Sequence, residues 1–392
     1  MIEQAPHMNP LLLHLAELLD IPPSHYEKAT KRYRSLGDWL HRDGSQVAAL
    51  DPTVHPQGSF RLGTVIRPLL REEEYDLDLV CALLKLGKDA VSQKDLKELL
   101  GQEIKAYAES NGLTAPAAEK RRCWRLDYAD DVSFHMDILP SLPDDEVFKA
   151  SLVGMGVPEE LAEHAIAITD KEHPRFAEIQ DEWPRSNPKG YAEWFERRMR
   201  SAAQARMEAL VLEARYASVD DVPAFEWKTP LQRAIQLLKR HRDVMFKDDP
   251  ECKPISIIIT TLSAEAYESE SDLYDALLAI ARKIPGLVRS QLPRVPNPVN
   301  PAEDFADRWA EDPNLERNFW AWHAQVKADL GTLARAKALD DIKTISQERF
   351  AVVPPDDNLS DLASRESGPE GGVLAGPAVQ IKTAPKPWKA GE

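Results

Sequence analysis

A run of ten residues, YDLDLVCALL, places two aspartates inside an otherwise apolar segment. Its length and its branched and aromatic residues predict a β-strand. Side chains two residues apart on a strand point to the same face, so Asp76 and Asp78 are expected to share one face, and we assign Leu77 and Val80 to the core side. Two carboxylates this close repel and raise each other's pKa unless a cation lies between them. The segment therefore predicts a sheet with one ligand-binding face.

A third carboxylate is expected beside this pair. The segments RCWRLDYA and VSFHMDILP alternate apolar and polar residues and meet at residues 130–131, the pattern of a β-hairpin. In the second segment His135 and Asp137 share a face. Aspartates on neighbouring strands can hold two divalent ions, one for an attacking hydroxyl and one for a leaving pyrophosphate. Asp76, Asp78 and Asp137 are therefore predicted to bind two Mg²⁺ or Mn²⁺ ions, which prefer oxygen ligands.

A Gly-Ser pair precedes the strand. Gly58 and Ser59 lead into FRLGTVI, for which we predict a short helix from Phe60 to Ile66, ended by Pro68. Glycine lets a phosphate approach the backbone closely, a helix start offers unpaired N–H groups, and serine adds a hydroxyl. A lone Gly-Ser pair is usually a turn, but ahead of two aspartates it predicts a triphosphate site.

Composition limits the classes of function. With 392 residues and 43% hydrophobic residues, the chain is long enough for two lobes, each with its own core. A formal net charge of -16 argues against a protein whose main task is to bind DNA or RNA, because that affinity comes from many Lys and Arg contacts. Three widely spaced cysteines without metal-ligand spacing predict reduced thiols in the cytoplasm. We expect no membrane segment and no nucleic-acid activator.

Apolar residues recur at helical spacing over most of the remaining chain. Two helices are predicted in the first 45 residues, one at about 92–109, and helical structure at about 158–218, interrupted by the loop WPRSNPKGY. TPLQRAIQLLKRHRDVMF is predicted to be an amphipathic helix, and PISIIITTL its buried helical partner despite its β propensity. From about residue 354, Pro, Gly, Ser and Ala predominate, and disorder is expected.

Other residues near these motifs have simpler explanations. His55 and His135 are expected to make local hydrogen bonds or packing contacts rather than to bind a metal. The run KRRCWR, residues 120–125, is expected to be an exposed strand, with a phosphate-facing strand as the alternative. Three aromatic residues could stack on a base, namely Trp183, Tyr191 and Trp194. Core packing is expected for at least two of these three.

Together these segments resemble a known superfamily, the polymerase-β-like nucleotidyltransferases, whose signature is Gly-Ser, then Asp-x-Asp in a strand, then a later Asp. More closely, the chain resembles the cGAS/DncV-like nucleotidyltransferases of bacterial anti-phage signalling systems. The segments that carry this resemblance, between about residues 30 and 325, are QGSFRLGTVIRP, EYDLDLV, FHMDILP, LQRAIQLLKRHRD, PISIIITTL and NPVNPAEDFADRW. One departure is the long interval between Ser59 and Asp76, where the charged loop LREEE is expected to lie away from the metals.

The resemblance implies an α+β, bilobed polymerase-β-like enzyme with a mixed-sheet lobe, a helical lobe and nucleotides in the cleft between them. The predicted division is a catalytic lobe with an N-terminal spine helix at 1–225, a helical lobe at 226–350 and a flexible tail at 351–392. The family joins nucleoside triphosphates into a ring and releases pyrophosphate. We therefore expect a cyclic oligonucleotide synthase that uses ATP and GTP in anti-phage defence, with a cyclic dinucleotide as the favoured product.

Residue roles follow from the resemblance position by position. Gly58 and Ser59 would hold the donor triphosphate, and Asp137 would help to deprotonate the acceptor hydroxyl besides binding metal. Lys239 in LLKRHRD and Ser256 in PISIII match positions that contact donor phosphates from the helical lobe. A KRHR run on a helix is, however, about as often a solvated face.

Other functions fit parts of the pattern. A one-step nucleotidyltransferase could modify a drug, a protein or a tRNA end, and an inert nucleotidyltransferase-like scaffold would bind without turnover. A metal-dependent glycosyltransferase also uses Asp-x-Asp, but it would leave the Gly-Ser pair without a role. In some relatives a ubiquitin-transfer-like partner conjugates the C-terminal residue to other proteins. Glu392 at that position departs from their pattern.

Overall fold

The computed structural model describes residues 7–69, 75–129, 133–200 and 228–355. The helices in these ranges, numbered in chain order, are α1 (Met8–Leu18), α2 (Pro23–His41), α3 (Gly58–Leu62), α4 (Gln93–Ser110), α5 (Glu146–Gly154), α6 (Glu159–Ala162), α7 (188–200), α8 (Pro230–Met245), α9 (Ser256–Ala266), α10 (Leu273–Leu287), α11 (Pro313–Arg335) and α12 (Leu339–Phe350). The strands are β1 (Pro52–Pro56), β2 (Tyr75–Leu83), β3 (Ala118–Glu119), β4 (Trp124–Ala129), β5 (Ser133–Pro143), β6 (Ile166–Ile168), β7 (Arg185–Ser186), β8 (Pro296–Asn297) and β9 (Asn300–Asp304).

Seven strands form one mixed sheet. The central order is β1-β2-β5-β4-β3. In addition, β6 pairs with the last three residues of β5, and β7 pairs with β6. β2 and β5 run parallel, and the other pairings in this sheet are antiparallel. The predicted strand over YDLDLVCALL and the predicted hairpin are therefore confirmed. The sheet also makes direct neighbours of β2 and β5, the two strands that carry the predicted metal ligands.

In the described residues, two large hydrophobic cores define two lobes. The sheet packs with α2 and α4 around buried side chains such as Leu36, Leu100 and Ile138. The helical lobe has a separate core that includes Leu238 and Ile259. The apolar side chains of α1 join this second core, although α1 is the first helix of the chain. The predicted bilobed α+β fold is confirmed, whereas the predicted lobe boundary at 225–226 lies outside the described residues and stays a prediction.

One side-chain direction in β2 differs from the prediction. Leu77 and Leu79 point into the main core of the sheet, whereas Val80 belongs to a separate cluster with Leu139. Because residues two apart on a strand share a face, Val80 lies on the face of Asp78. The assignment of Val80 to the core side is therefore wrong.

The short helix after the Gly-Ser pair also differs from the prediction. It begins at Gly58 and ends at Leu62, and the next residue, Gly63, adopts the left-handed conformation with φ +67°. A left-handed glycine ends a helix because no continued helical turn contains that conformation. The predicted bounds, Phe60 to Ile66 with Pro68 as the stop, are wrong because this glycine acts first.

Several helical predictions are confirmed and others need correction. The two helices within the first 45 residues are α1 and α2, the helix at about 92–109 is α4, and PISIIITTL forms α9. The described part of the segment predicted at about 158–218 is not purely helical, because it contains β6 and β7 before α7, and residues 201–218 lie outside the described residues. NPVNPAEDFADRW holds the β8–β9 hairpin, which helical periodicity does not reveal. The predicted disordered tail beyond residue 355 and the glutamates of the LREEE loop lie outside the described residues.

No helix in the described part of the chain is both long enough and apolar enough to span a bilayer.

Candidate active site

The three predicted metal-binding aspartates lie side by side on β2 and β5. Asp78 and Asp137 are partners in the register of the two parallel strands, and Asp76 lies two residues earlier on β2. One carboxylate oxygen from each of the three lies within 4.8 Å of the others. Asp76 is exposed, while Asp78 and Asp137 are half-buried. The alternation in the sequence thus brings three carboxylates to one point on the sheet.

The charge of this cluster favours a bound cation. Burial, followed by the negative charges of Asp76 and Asp137, raises the pKa of Asp78 to about 7. The positive charges of His135 and Arg125 act in the opposite direction but do not cancel this effect. Three converging oxygen ligands whose negative charge is only partly compensated fit Mg²⁺ or Mn²⁺, which bind carboxylate oxygens. The number of ions stays a prediction.

Gly58 lies directly against Asp78, one of the three predicted metal ligands. It has φ +62°, and a Cβ atom at this position would lie 2.6 Å from Oδ2 of Asp78. Only glycine fits both the left-handed conformation and this close approach. A backbone hydrogen bond also holds this segment against β2, because the N–H of Gln57 donates to the carbonyl of Asp78 at 2.8 Å. Gly58 is therefore held at the edge of the carboxylate cluster, and the binding of a triphosphate by Gly58 and Ser59 stays a prediction.

Arg125 is a member of the site that the sequence prediction missed. It lies opposite Asp137 on β4, and its guanidinium donates to both oxygens of that carboxylate, at 2.7 and 2.6 Å. The prediction of an exposed strand at 120–125 is only partly right. Arg121 and Arg122 are exposed but precede β4, while Trp124 is buried and Arg125 half-buried. The sequence does contain a signal for this position. Arg125 and Asp127 are two residues apart on one strand and therefore share a face, and Asp127 is the register partner of His135 across the hairpin.

The two histidines make local contacts, as expected. Nε2 of His135 lies 3.2 Å from Oδ1 of Asp76. His55 lies opposite Val80 in the register of β1 and β2, on the aspartate face of the sheet. Burial, followed by the charges of Lys189 and Arg61, lowers the pKa of His55 to about 4. Neither histidine belongs to the cluster that could hold a metal.

Helix α8 fastens the helical lobe to the segment that follows the Gly-Ser pair. Its side chains donate hydrogen bonds to four backbone carbonyls between residues 62 and 67 of that segment. The pairs are Gln232 to Leu62 at 2.9 Å, Lys239 to Thr64 at 3.1 Å, Gln236 to Val65 at 2.8 Å, and Arg240 to Arg67. The KRHR run is therefore not a solvated face: Lys239, Arg240, His241 and Arg242 are each at most 6% exposed.

Lys239 and Ser256, the predicted phosphate contacts of the helical lobe, are both linked to Arg242. Burial, followed by the positive charge of Arg242, lowers the pKa of Lys239 to about 7, although Asp78 is close enough to oppose the shift. The Arg242 guanidinium also donates to the hydroxyl of Ser256 at 3.0 Å. Ser256 is the first residue of α9. The structure thus places Lys239 beside the catalytic lobe and ties Ser256 to the same helix.

The aromatic residues behave largely as core residues. Trp183 and Tyr191 are buried, which agrees with the expectation that at least two of the three pack in the core. Trp194 packs, partly buried, against the helical core. Cys81, Cys123 and Cys252 are free thiols.

Sequence comparison matches part of the sheet lobe to a described family. Residues 52–140 match the nucleotidyltransferase domain of the proteins described as "Cyclic GMP-AMP synthase DncV-like". A relative from Roseivirga ehrenbergii, named c-di-GMP synthase, is 29% identical over 349 residues, covering 88% of this chain and 84% of the relative. The cyclic dinucleotide synthase CdnG of Bradyrhizobium diazoefficiens is 27% identical over 346 residues, covering 83% and 76%.

Solved structures agree with the fold. The structure of CdnG from Bradyrhizobium diazoefficiens in complex with GTP superposes with a TM-score of 0.62 at 22% identity, covering 92% of this chain and 99% of that chain. The complex of CdnC with a HORMA protein from E. coli MS115-1 gives a TM-score of 0.58 at 14% identity, covering 88% and 98%. At these identities the likeness concerns the fold, and it extends over both lobes.

Proposed function

Because the chain belongs to the cGAS/DncV-like nucleotidyltransferases, we propose that it is a cyclic dinucleotide synthase. It would join two nucleoside triphosphates through their ribose hydroxyls and release pyrophosphate at each step. The observation that carries the proposal is the convergence of three carboxylate oxygens within 4.8 Å, with Gly58 packed against Asp78. The relatives named c-di-GMP synthase and CdnG support the same reaction class.

The proposed chemistry divides among the residues of the site. In each step the acceptor hydroxyl bonds to the α-phosphorus of the donor, the bond to the departing pyrophosphate breaks, and the hydroxyl proton leaves. Asp76, Asp78 and Asp137 would hold Mg²⁺ or Mn²⁺, which supplies positive charge to the phosphates and lowers the pKa of the attacking hydroxyl. Asp137 would help to deprotonate the hydroxyl, and Arg125 would fix the direction of its carboxylate.

Donor binding would use residues from both lobes. Ser59 would offer its hydroxyl, and Gly58 would allow the triphosphate to approach the backbone. Lys239 would add positive charge from α8, where it already touches the segment after the Gly-Ser pair. A triphosphate would raise the pKa of Lys239 again, because the ammonium form is favoured beside an anion. Ser256, tied to Arg242, would complete the donor contacts.

Glu303 of the helical lobe is the candidate residue for recognition of guanine. Glu303 on β9 accepts a hydrogen bond from Nδ2 of Asn297 at 2.8 Å, which fixes its direction. The Glu303 residue is exposed. Partial removal of its carboxylate from water raises the pKa of Glu303, and the positive charge of Arg122 in the other lobe opposes this shift. Glu303 therefore lies where the lobes meet. A carboxylate accepts hydrogen bonds from both N–H groups on the pairing edge of guanine, so we propose GTP for at least one position, with ATP or GTP at the other.

The proposal extends to anti-phage signalling, the role that the family resemblance implies. The product would be a messenger made in the cytoplasm and read by a separate effector protein. A protein partner could regulate synthesis, as the HORMA complex of CdnC suggests for that relative. The net charge of -16 supports activation by something other than nucleic acid.

A product assay tests this function. The purified chain is incubated with labelled ATP, GTP, CTP and UTP, singly and together, with Mg²⁺ or Mn²⁺. The mixture is treated with phosphatase, and surviving products are identified by mass. A resistant cyclic dinucleotide that contains guanine, absent from an Asp76→Asn/Asp78→Asn variant, is the expected result.

Other outcomes would assign another function. Label on an added drug, protein or tRNA without a resistant free product would indicate one-step transfer. Tight metal-dependent triphosphate binding without pyrophosphate release under any condition, including addition of candidate protein partners, would indicate an inert scaffold.

A further inference from the structure

A row of polar side chains crosses three strands on the aspartate face of the sheet. In the register, His135 of β5 is the partner of Asp76 on β2 and of Asp127 on β4. The neighbouring row holds Asp78 and Asp137. His135 thus lies between two carboxylates, of which only Asp76 belongs to the cluster that could hold a metal.

Within this row His135 contacts the least confined of the three metal-binding aspartates. Nε2 of His135 lies 3.2 Å from Oδ1 of Asp76. The Asp76 side chain is 55% exposed and that of His135 only 18%, so the buried ring can fix the exposed carboxylate. An exposed aspartate otherwise loses rotamer freedom when it binds a cation, which weakens binding. A partner that already holds one oxygen reduces this entropy loss and leaves the other oxygen for the metal.

We propose that His135 is a positioning residue that orients Asp76 toward the metal. Asp137 and Asp76 would then each have a dedicated partner, Arg125 for the first and His135 for the second. The imidazole differs from the guanidinium because it can hold a carboxylate without carrying a positive charge. This proposal rests on the metal site in the proposed function, but not on the identity of the nucleotides or the product.

For removal of His135, the proposal predicts a change in cation affinity opposite in sign to the change expected if His135 acted only through its charge. If His135 acted only through positive charge beside the site, its removal would strengthen cation binding. If it orients Asp76, its removal weakens binding. Residues that hydrogen-bond to metal ligands typically contribute about 10- to 100-fold in metal affinity.

Two polar substitutions of His135 distinguish the loss of a hydrogen-bond donor at the Nε2 position from a general disturbance of the site. The amide of His135→Gln can reach the position of Nε2, whereas the shorter amide of His135→Asn lies near the position of Nδ1 and does not reach Asp76. Asp127→Asn serves as the matched control, since it changes one charge in the same row and leaves the contact with Asp76 intact. Thermal unfolding of each variant confirms that the fold is retained.

The readout is binding of Mn²⁺ alone to the nucleotide-free protein, followed by electron paramagnetic resonance. His135→Asn is expected to weaken Mn²⁺ binding by about tenfold or more, while His135→Gln and Asp127→Asn stay within about threefold of the wild-type protein. Unchanged or tighter binding by His135→Asn would overturn the proposal. An equal loss in the Gln and Asn variants would also overturn it, because the position of the donor would then not matter. Failure of the product assay alone would leave this binding result intact.

Discussion

Arg125 and Asp137 form a two-point ion pair between neighbouring strands, with Nε and Nη2 of the arginine 2.7 and 2.6 Å from the two carboxylate oxygens. They are register partners in the β4–β5 hairpin. A planar guanidinium that meets both oxygens fixes the plane of the carboxylate as well as its position. The arginine therefore determines how Asp137 faces Asp78.

Replacement of Arg125 by lysine keeps the positive charge but loses the two-point contact. We expect Arg125→Lys to lower kcat/KM by about tenfold or more, because Asp137 is then free to rotate. Arg121→Lys is the control, since Arg121 makes the same type of two-point contact with Asp170. Initial rates of pyrophosphate release should show little change in the control. Equal losses in both variants would mean that the effect is general weakening of the sheet lobe.

Gly58 is expected to tolerate no side chain. In Gly58→Ala the new Cβ would lie 2.6 Å from Oδ2 of Asp78 and must displace that carboxylate. A displacement of about 1 Å at a reacting centre can lower the rate about 100-fold, so a loss of this size in kcat is expected. Gly44→Ala provides a matched control: Gly44 has φ +84° with no atom within 4 Å of the added Cβ. It should lose only about 1–2 kcal/mol of stability and retain activity.

Glu303 is expected to select guanine. Glu303→Gln replaces one carboxylate oxygen by an amide NH2 group, which cannot accept from a guanine N–H, so at most one of the two contacts is kept. The ratio of kcat/KM for GTP to that for ATP should fall by about tenfold or more, in line with the discrimination that a two-point base contact provides. The measurement is mass spectrometry of products from equimolar GTP and ATP, with Glu311→Gln as an exposed control in the same lobe. An unchanged product distribution would remove Glu303 from base recognition.

Asp20 gives the stability of the protein a defined pH dependence. Its carboxylate, between α1 and α2, pairs with Lys228 and Arg233 and accepts from Gln236 at 2.8 Å. Burial alone raises the pKa of Asp20, but the two cations and these hydrogen bonds outweigh burial and lower it below 3.8. A carboxyl with a lowered pKa in the folded state stabilises the fold above about pH 4, and this contribution is lost as pH falls through the folded pKa.

Asp20→Asn should therefore lower the free energy of unfolding by about 2–3 kcal/mol at neutral pH, because two partly buried cations lose their partner. Urea unfolding of variant and wild type at neutral pH and at several values below about pH 4 checks the sign. The difference should shrink as the pH falls. The exposed Asp38→Asn variant should show little difference at any pH. A difference for Asp20→Asn that grew toward acid pH would contradict this account.

Local patterns predicted much of the fold and the centre of the site. Alternation over β2 and β5 placed Asp76, Asp78 and Asp137 correctly on one face, since the side-chain period of a strand is a local property. Helical periodicity identified α9 even against β propensity. Helix ends were predicted less well, because a single residue can determine them. The left-handed Gly63 ends α3 at Leu62, well before Pro68 would exclude a further helical hydrogen bond.

The sequence by itself determined which side chains share a face, because the periods of strands and helices are set by the backbone over a few residues. It therefore determined the Asp-x-Asp face and the amphipathic character of α8. Only the tertiary structure decided the pairings across strands and lobes: Arg125 with Asp137, His135 with Asp76, and Lys239 with Thr64. These contacts depend on strand register and on how two separate cores pack together. Long-range burial and hydrogen bonding set both, so no local pattern contains them.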